Sequence, residues 1–112
     1  MVWPSYNKQQ QKIVTKILSS GKVNYWTGRE CKNFEIDFSN YHKRKYSVSV
    51  SNGSVALEIA LKSLSLKAGD QVVVTPRSFI ISASCVLNLG LKPVFADVDK
   101  NGNLSKETIS QV

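Results

Sequence analysis

From Lys45 onward the chain alternates between strand-like and helix-like patterns, and this order limits the folds open to it. "KYSVSVS" alternates polar and apolar residues and is rich in β-formers, which predicts a strand over 45–51. "SVALEIALKSLSL" places Val55, Leu57, Ile59, Ala60, Leu61 and Leu64 in an amphipathic helical pattern. "QVVVTP" is a continuous β-branched run, the pattern of a strand buried on both faces, and Pro76 stops it. "SFIISASCVLNLG" has helix length and ends at Gly90, and "KPVFADV" reads as a third strand. "DKNGN" reads as a turn, after which Ser105 is placed to cap a last helix with Glu107 in its first turn. Strands that alternate with helices pair in parallel through right-handed crossovers. The expected class is therefore α/β, with a parallel βαβαβ sheet.

Two helices precede it. Ile13, Val14, Ile17 and Leu18 share one face of a helix over 7–20, and Gly21 stands where such a helix stops. Phe34, Phe38 and Tyr41 share a face of a second helix over 29–41, with Glu30 early and Lys43 to Lys45 late, as the helix dipole favours. "KVNYWTGRE" between them lacks a period and reads as an ordered loop. The organisation expected is residues 1–45 as helices with a loop, then 46–112 as the start of an α/β domain. Three strands and a helix barely begun make a poor closed domain. The chain is accordingly expected to be the front end of something longer, with an exposed sheet edge that favours aggregation.

Composition excludes some functions. No apolar run approaches the roughly 18 residues of a membrane span. The first residues lack the basic and apolar regions of a secretory signal, which suggests a cytoplasmic protein. Cys31 and Cys85 have no metal-site spacing and His42 is the single histidine, so no metal site is expected. The net charge of +7 is spread over scattered lysines, with one cluster at His42-Lys43-Arg44-Lys45 at a helix end. No aromatic-interleaved basic motif accompanies it, so no nucleic-acid partner is expected, although a basic surface also suits a phosphorylated substrate.

The chemistry-bearing candidates sit at the ends of the expected strands, where open parallel sheets bind ligands. At Ser51-Asn52-Gly53-Ser54 a strand gives way to a helix, whose first amides are unpaired and carry the positive end of the dipole. Gly53 lets a ligand approach the backbone, and the serines add donors. The segment is either an anion cradle or a simple cap and turn. It is neither a P-loop nor a dinucleotide fingerprint, because G-x-x-x-x-G-K-[ST] and G-x-G-x-x-G are both absent. Phe79 in "TPRSF" either faces a flat ligand or joins the core. Asp97 and Asp99 stand at the end of the third strand, and the Asn101-Gly102 that follows favours Asp99 as a turn residue.

Four blocks in order carry a resemblance: Ser-Asn-Gly-Ser with Ala-Leu, Gly-Asp-x-Val-Val-Val, Ser-Phe, and Pro-Val-Phe-Ala-Asp-Val-Asp. Together with the leader "SGKVNYWTGRECKNFEIDFSNYH", the chain resembles the DegT/StrS family of pyridoxal-phosphate-dependent sugar aminotransferases. The resemblance implies the N-terminal part of the large domain of a fold-type I transferase. It implies pyridoxal 5'-phosphate as cofactor, with Asn52, Gly53 and Ser54 at its phosphate and Phe79 stacked on its ring. Tyr25, Trp26 and Thr27 would lie at the substrate end. It also implies a nucleotide-sugar substrate, glutamate as amino donor, and a homodimer with shared active sites, serving amino-sugar and surface-polysaccharide synthesis. None of the lysines here matches the family's Schiff-base position, which is expected downstream. No catalytic residue is therefore assigned, and the 112-residue chain alone is expected to be inactive. The alternatives are a sugar dehydratase of the same family and a non-catalytic module that binds a phosphorylated ligand.

Overall fold

The computed structural model describes residues 3–112. The described residues divide into two compact units, one ending at Ser49 and the other Val50–Val112.

The first unit holds α1 (Lys8–Ser19) and α2 (Glu30–Tyr41). Asn7 begins α1 through a capping box: its side chain accepts the Gln10 amide, and Gln10 accepts the Asn7 amide, both at 2.9 Å. Gly21 follows with φ +67°, as expected of a residue that ends a helix. The extended residues after α2 were expected to open a parallel sheet, but 45–51 form no ladder among the described residues. Their polar side turns to α2 instead. The Ser47 hydroxyl donates to the Glu35 carbonyl at 2.6 Å, and Ser49 donates through both its amide and its hydroxyl to the Glu35 carboxylate. The period-two pattern is thus present, because Ser47 and Ser49 point the same way, but the partner is a helix.

The second unit runs α3 (Gly53–Lys62), β1 (Gln71–Val74), α4 (Ile81–Asn88), β2 (Lys92–Phe95) and α5 (Lys106–Ile109). The two strands pair in parallel with Gln71 opposite Lys92 and Val74 opposite Phe95. This is the α/β arrangement expected from strands joined by a helix, with two paired strands rather than three. The core lies between the sheet and α4: Val74, Cys85, Val86, Leu91 and Ala96 are buried, Val86 to 1% exposure. Leu61 of α3 and Val72 pack against this cluster. Val72 and Val73 stay half-buried rather than buried on both faces. α4 packs on the strands, whereas α3 packs on α4.

Helix boundaries follow local hydrogen bonding. α4 begins three residues later than the apolar pattern suggests. The amides of Ser82 and Ala83 donate to the carbonyls of Phe79 and Ile80, so the preceding turn is wound too tightly to count as α-helix. α3 ends at Lys62, and Ser65 takes a left-handed conformation at φ 55°. Ser105 caps α5 as expected, accepting the Thr108 amide at 3.3 Å. Gly90, at φ +72°, turns the chain from α4 into β2 and accepts the Gly69 amide at 2.8 Å. An alanine there meets no clash but must hold a left-handed backbone. Gly90→Ala in a protein carrying this chain should therefore lose roughly 1–2 kcal/mol. A denaturant midpoint equal to the parent's would contradict that cost. No helix among the described residues is long and apolar enough to cross a membrane.

Candidate functional site

The start of α3 assigns the two roles proposed for the Ser51–Ser54 seam to different residues. Asn52, extended at φ −167° and ψ 172°, is the N-cap, and its Oδ1 accepts the Val55 amide at 3.0 Å. Its backbone carbonyl accepts the Ala56 amide at 3.2 Å. The amides of Gly53 and Ser54, the first two of the helix, have no partner among the described residues. They are the donors that a helix start leaves for a ligand, and they carry the positive end of the dipole. Asn52 holds that start in place with its carboxamide oxygen already engaged.

Gly53 needs no special conformation here. Its φ is not positive, and a Cβ built on it meets nothing within 4 Å. The fold therefore tolerates a side chain at this position, next to the two free amides. An open cradle with unpartnered N–H groups fits a phosphate ester.

Beyond β1, Thr75 Oγ1 accepts the Arg77 amide at 3.1 Å, and the Ser78 and Ser82 hydroxyls share a hydrogen bond at 3.0 Å. Phe79 is 74% exposed, so it is not the core residue that one reading of the sequence allowed. Its ring face is available. The guanidinium of Arg77 reaches the turn after β2: a Cβ on Gly102 would lie 3.8 Å from one of its nitrogens. Sequence reasoning did not single out Arg77, whose reach depends on two loops that only the folded sheet brings together.

Asp99 is a turn residue, as its Asn-Gly neighbours suggested. Its Oδ1 accepts the amides of Asn101 and Asn103 at 2.9 and 3.0 Å. The Asn103 amide, first, and that of Asn101 hold the Asp99 carboxyl below the ordinary carboxylate range. Asp97 accepts the adjacent Val98 amide at 2.7 Å. No group of His, Cys, Asp or Glu among the described residues is arranged to hold a metal.

In the first unit, the loop before α2 is tightly built. Asn24 Oδ1 accepts the amides of Trp26 and Thr27 at 3.0 Å each and the Thr27 hydroxyl at 3.1 Å. The Gly28 amide donates to the Asn24 carbonyl at 2.7 Å. Tyr25 donates its hydroxyl to Glu35 Oε2 at 3.1 Å, and Lys32 Nζ lies 5.3 Å from the ring centroid. Trp26 is 85% exposed. The hydrogen bond to Glu35 raises the Tyr25 phenol, and the Ser49 amide is the main cause that lowers the Glu35 carboxyl. Sequence reading did not single out Glu35, whose partners lie ten and fourteen residues away in the chain.

The sign of this linkage is fixed. A carboxyl depressed in the fold stabilises it above the unfolded pKa, and that contribution is lost as pH falls through the folded value. Acidification below the ordinary carboxylate range should therefore free Ser49 and Tyr25 from Glu35. Resonances of the Ser49 amide and the Tyr25 ring should move together in that range; if they stay fixed down to pH 2, the coupling is wrong.

The chain is similar to several known proteins. It is 46% identical to an aminotransferase from Psychrobacter cryohalolentis, superposing with a TM-score of 0.96 over 100% of this chain and 29% of the other. It is 32% identical over 96 residues to GDP-perosamine synthase of Vibrio cholerae, covering 86% of this chain and 26% of that relative. A sugar aminotransferase, Spr1654 from Streptococcus pneumoniae, solved in its PLP form, superposes with a TM-score of 0.86 at 26% identity, over 96% of this chain and 27% of the other. The chain thus spans less than a third of the length of each. Their shared fold is that of fold-type I PLP-dependent aminotransferases. A family model matches residues 4–112, from the leader through the seam at Gly53 to the last capped helix, and the chain belongs to the DegT/DnrJ/EryC1/StrS aminotransferase family.

Proposed function

We propose that this chain forms the phosphate- and ring-binding part of a pyridoxal-phosphate site in a sugar aminotransferase. The observation that carries the reading is the pair of unpartnered amides at Gly53 and Ser54, at a helix start where a Cβ on Gly53 meets open space. Pyridoxal phosphate, when bound, supplies the electron sink for breaking and making bonds to the transferred nitrogen. The chain's own residues bind and orient it. Gly53 and Ser54 donate to the phosphate, assisted by the dipole of α3 and the Ser54 hydroxyl. Asn52 fixes the first turn so that the donors converge. Phe79 covers one face of the ring, which keeps water from that face and holds the ring's tilt.

The reaction we assign is amination of a keto group on a nucleotide-linked sugar, with glutamate as amino donor, in amino-sugar and surface-polysaccharide synthesis. The lysine that would hold the cofactor covalently is placed outside these residues, so the chain alone is expected to be inactive. Tyr25, Trp26 and Thr27 are assigned to the sugar-nucleotide end. The full-length protein is expected to work in the cytoplasm as a homodimer with shared active sites.

The test uses a full-length protein carrying this chain, loaded with pyridoxal phosphate. Glutamate-dependent appearance of an amino sugar from a GDP-, dTDP- or UDP-linked keto sugar is the expected result. Loss of the sugar hydroxyl without nitrogen transfer would move the assignment to a dehydratase. Saturable cofactor binding with neither reaction would leave a non-catalytic module. Within that protein, Phe79→Ala should weaken cofactor binding by roughly 1–2 kcal/mol, through a lost aromatic contact. Equilibrium dialysis against the parent checks this, and equal affinities would remove Phe79 from the site.

A further inference from the structure

Glu35 joins three segments of the first unit. Its carboxylate accepts the Tyr25 hydroxyl on one oxygen at 3.1 Å, and the Ser49 amide and hydroxyl on the other at 2.8 and 2.9 Å. Its carbonyl accepts the Ser47 hydroxyl at 2.6 Å. One side chain in the middle of α2 therefore holds both the loop before that helix and the extended segment after it.

Donors approach both oxygens, which suits an ionised acid that accepts on both and presents no hydrogen of its own. A glutamine can still accept from Ser49 with its oxygen. Its amide nitrogen would then donate to the Tyr25 phenolic oxygen, so Glu35→Gln keeps a bond between the same residues with its direction reversed. Glu35→Ala leaves Tyr25 without a partner at this position.

Tyr25 is in turn attached to an exposed neighbour. The Trp26 amide is fixed by Asn24 Oδ1, so its indole projects from a loop whose backbone is held at both Asn24 and Tyr25. An aromatic 85% exposed on a braced loop is a preordered surface for a flat or sugar-like ligand. The Tyr25 hydroxyl, committed as a donor to Glu35, offers such a ligand only acceptor capacity and its ring.

We propose that Glu35 is a positioning residue for substrate recognition: through the Tyr25 hydroxyl it holds the Tyr25–Trp26 surface in its binding orientation. The proposal rests on the assignment of Tyr25–Thr27 to the sugar-nucleotide end made above. It adds a role for a residue that touches neither the cofactor nor the substrate, and it predicts an effect on substrate binding separate from cofactor binding.

The experiment uses the full-length holoenzyme and whichever of the GDP-, dTDP- and UDP-linked keto sugars the parent turns over fastest. Glu35→Ala should raise KM about tenfold, keep kcat within threefold, and leave pyridoxal phosphate affinity within twofold. Glu35→Gln, which keeps a bond to Tyr25 with its direction reversed, should restore KM to within threefold of the parent. Tyr25→Phe, which removes the same hydrogen bond from its other end, should raise KM about as much as Glu35→Ala. In the Glu35→Ala/Tyr25→Phe double variant the two effects should not multiply, because both remove one interaction. The Tyr25 ring-carbon resonance should shift in Glu35→Ala, the mark of a lost donor bond. A merely structural Glu35 would instead give a lower cofactor affinity, or a KM effect that multiplies with that of Tyr25→Phe, and either result overturns the proposal. If Glu35→Ala does not fold, Tyr25→Phe decides: a parental KM overturns the proposal. If the parent itself turns over none of these sugars, the functional reading fails, and this proposal with it. A parent that is active while Tyr25→Phe is unchanged removes the proposal alone.

Discussion

Gly53→Val in a full-length protein carrying this chain should fold like the parent and lose cofactor. The usual objection to such a test is that a glycine at a helix start is there for the backbone, so its loss unfolds the protein. That objection does not apply here. Gly53 has no positive φ, and an added Cβ meets nothing within 4 Å. The melting temperature should stay within a degree or two. The isopropyl group would occupy the space that a phosphate needs to reach the Gly53 and Ser54 amides. Losing two hydrogen bonds to a charged group, each worth about 1.5–3 kcal/mol, should weaken cofactor binding by about 3 kcal/mol or more. That is at least a hundredfold in Kd. Gly53→Ala should lie between, because a methyl covers less of the cradle. If the valine variant binds cofactor normally, the phosphate does not sit at these amides. If it unfolds, the glycine has a packing role that the open space around it contradicts.

Gly28→Ala should have the second-largest effect, on stability. A Cβ at Gly28 would lie 2.5 Å from the Lys22 carbonyl oxygen and 2.9 Å from that of Asn24. Both are backbone atoms, so no flexible side chain can yield. The Gly28 amide also donates to Asn24 at 2.7 Å, so moving residue 28 away breaks the bond that closes the loop. Backbone conflicts of this kind cost roughly 2–3 kcal/mol. Chemical denaturation of the full-length protein should report that loss. The loop itself should open, visible as faster hydrogen exchange at Trp26 and Thr27. An unchanged denaturation midpoint with protected amides would mean the loop is not built around Gly28.

Much of this fold was legible because its determinants are local. The cap at Ser105 lies three residues from the amide it accepts, so spacing alone reveals it. The paired strands Gln71–Val74 and Lys92–Phe95 are short β-branched or apolar runs bounded by turn residues. The helix between them, read from its length and its stop at Gly90, buries Cys85 and Val86. What the sequence hid depends on distance. The alternation at 45–51 correctly placed Ser47 and Ser49 on one side but could not say that Glu35, rather than a neighbouring strand, meets them. Phe79 could be core or surface by composition, and only the tight turn before α4 leaves it outside. At the seam, spacing could not separate cap from cradle. The fold gives the cap to Asn52 and leaves the amides of Gly53 and Ser54 free.

The binding of the cofactor's phosphate at the start of α3 can be read directly. With the full-length protein labelled at glycine, serine and valine nitrogens, the amide resonances of Gly53, Ser54 and Val55 are followed while pyridoxal phosphate is added. Both should move downfield and become protected from hydrogen exchange, while the Val55 amide, already bonded to Asn52, changes little. Cofactor that binds to saturation with the Gly53 and Ser54 amides unmoved and still exchanging would place the phosphate elsewhere.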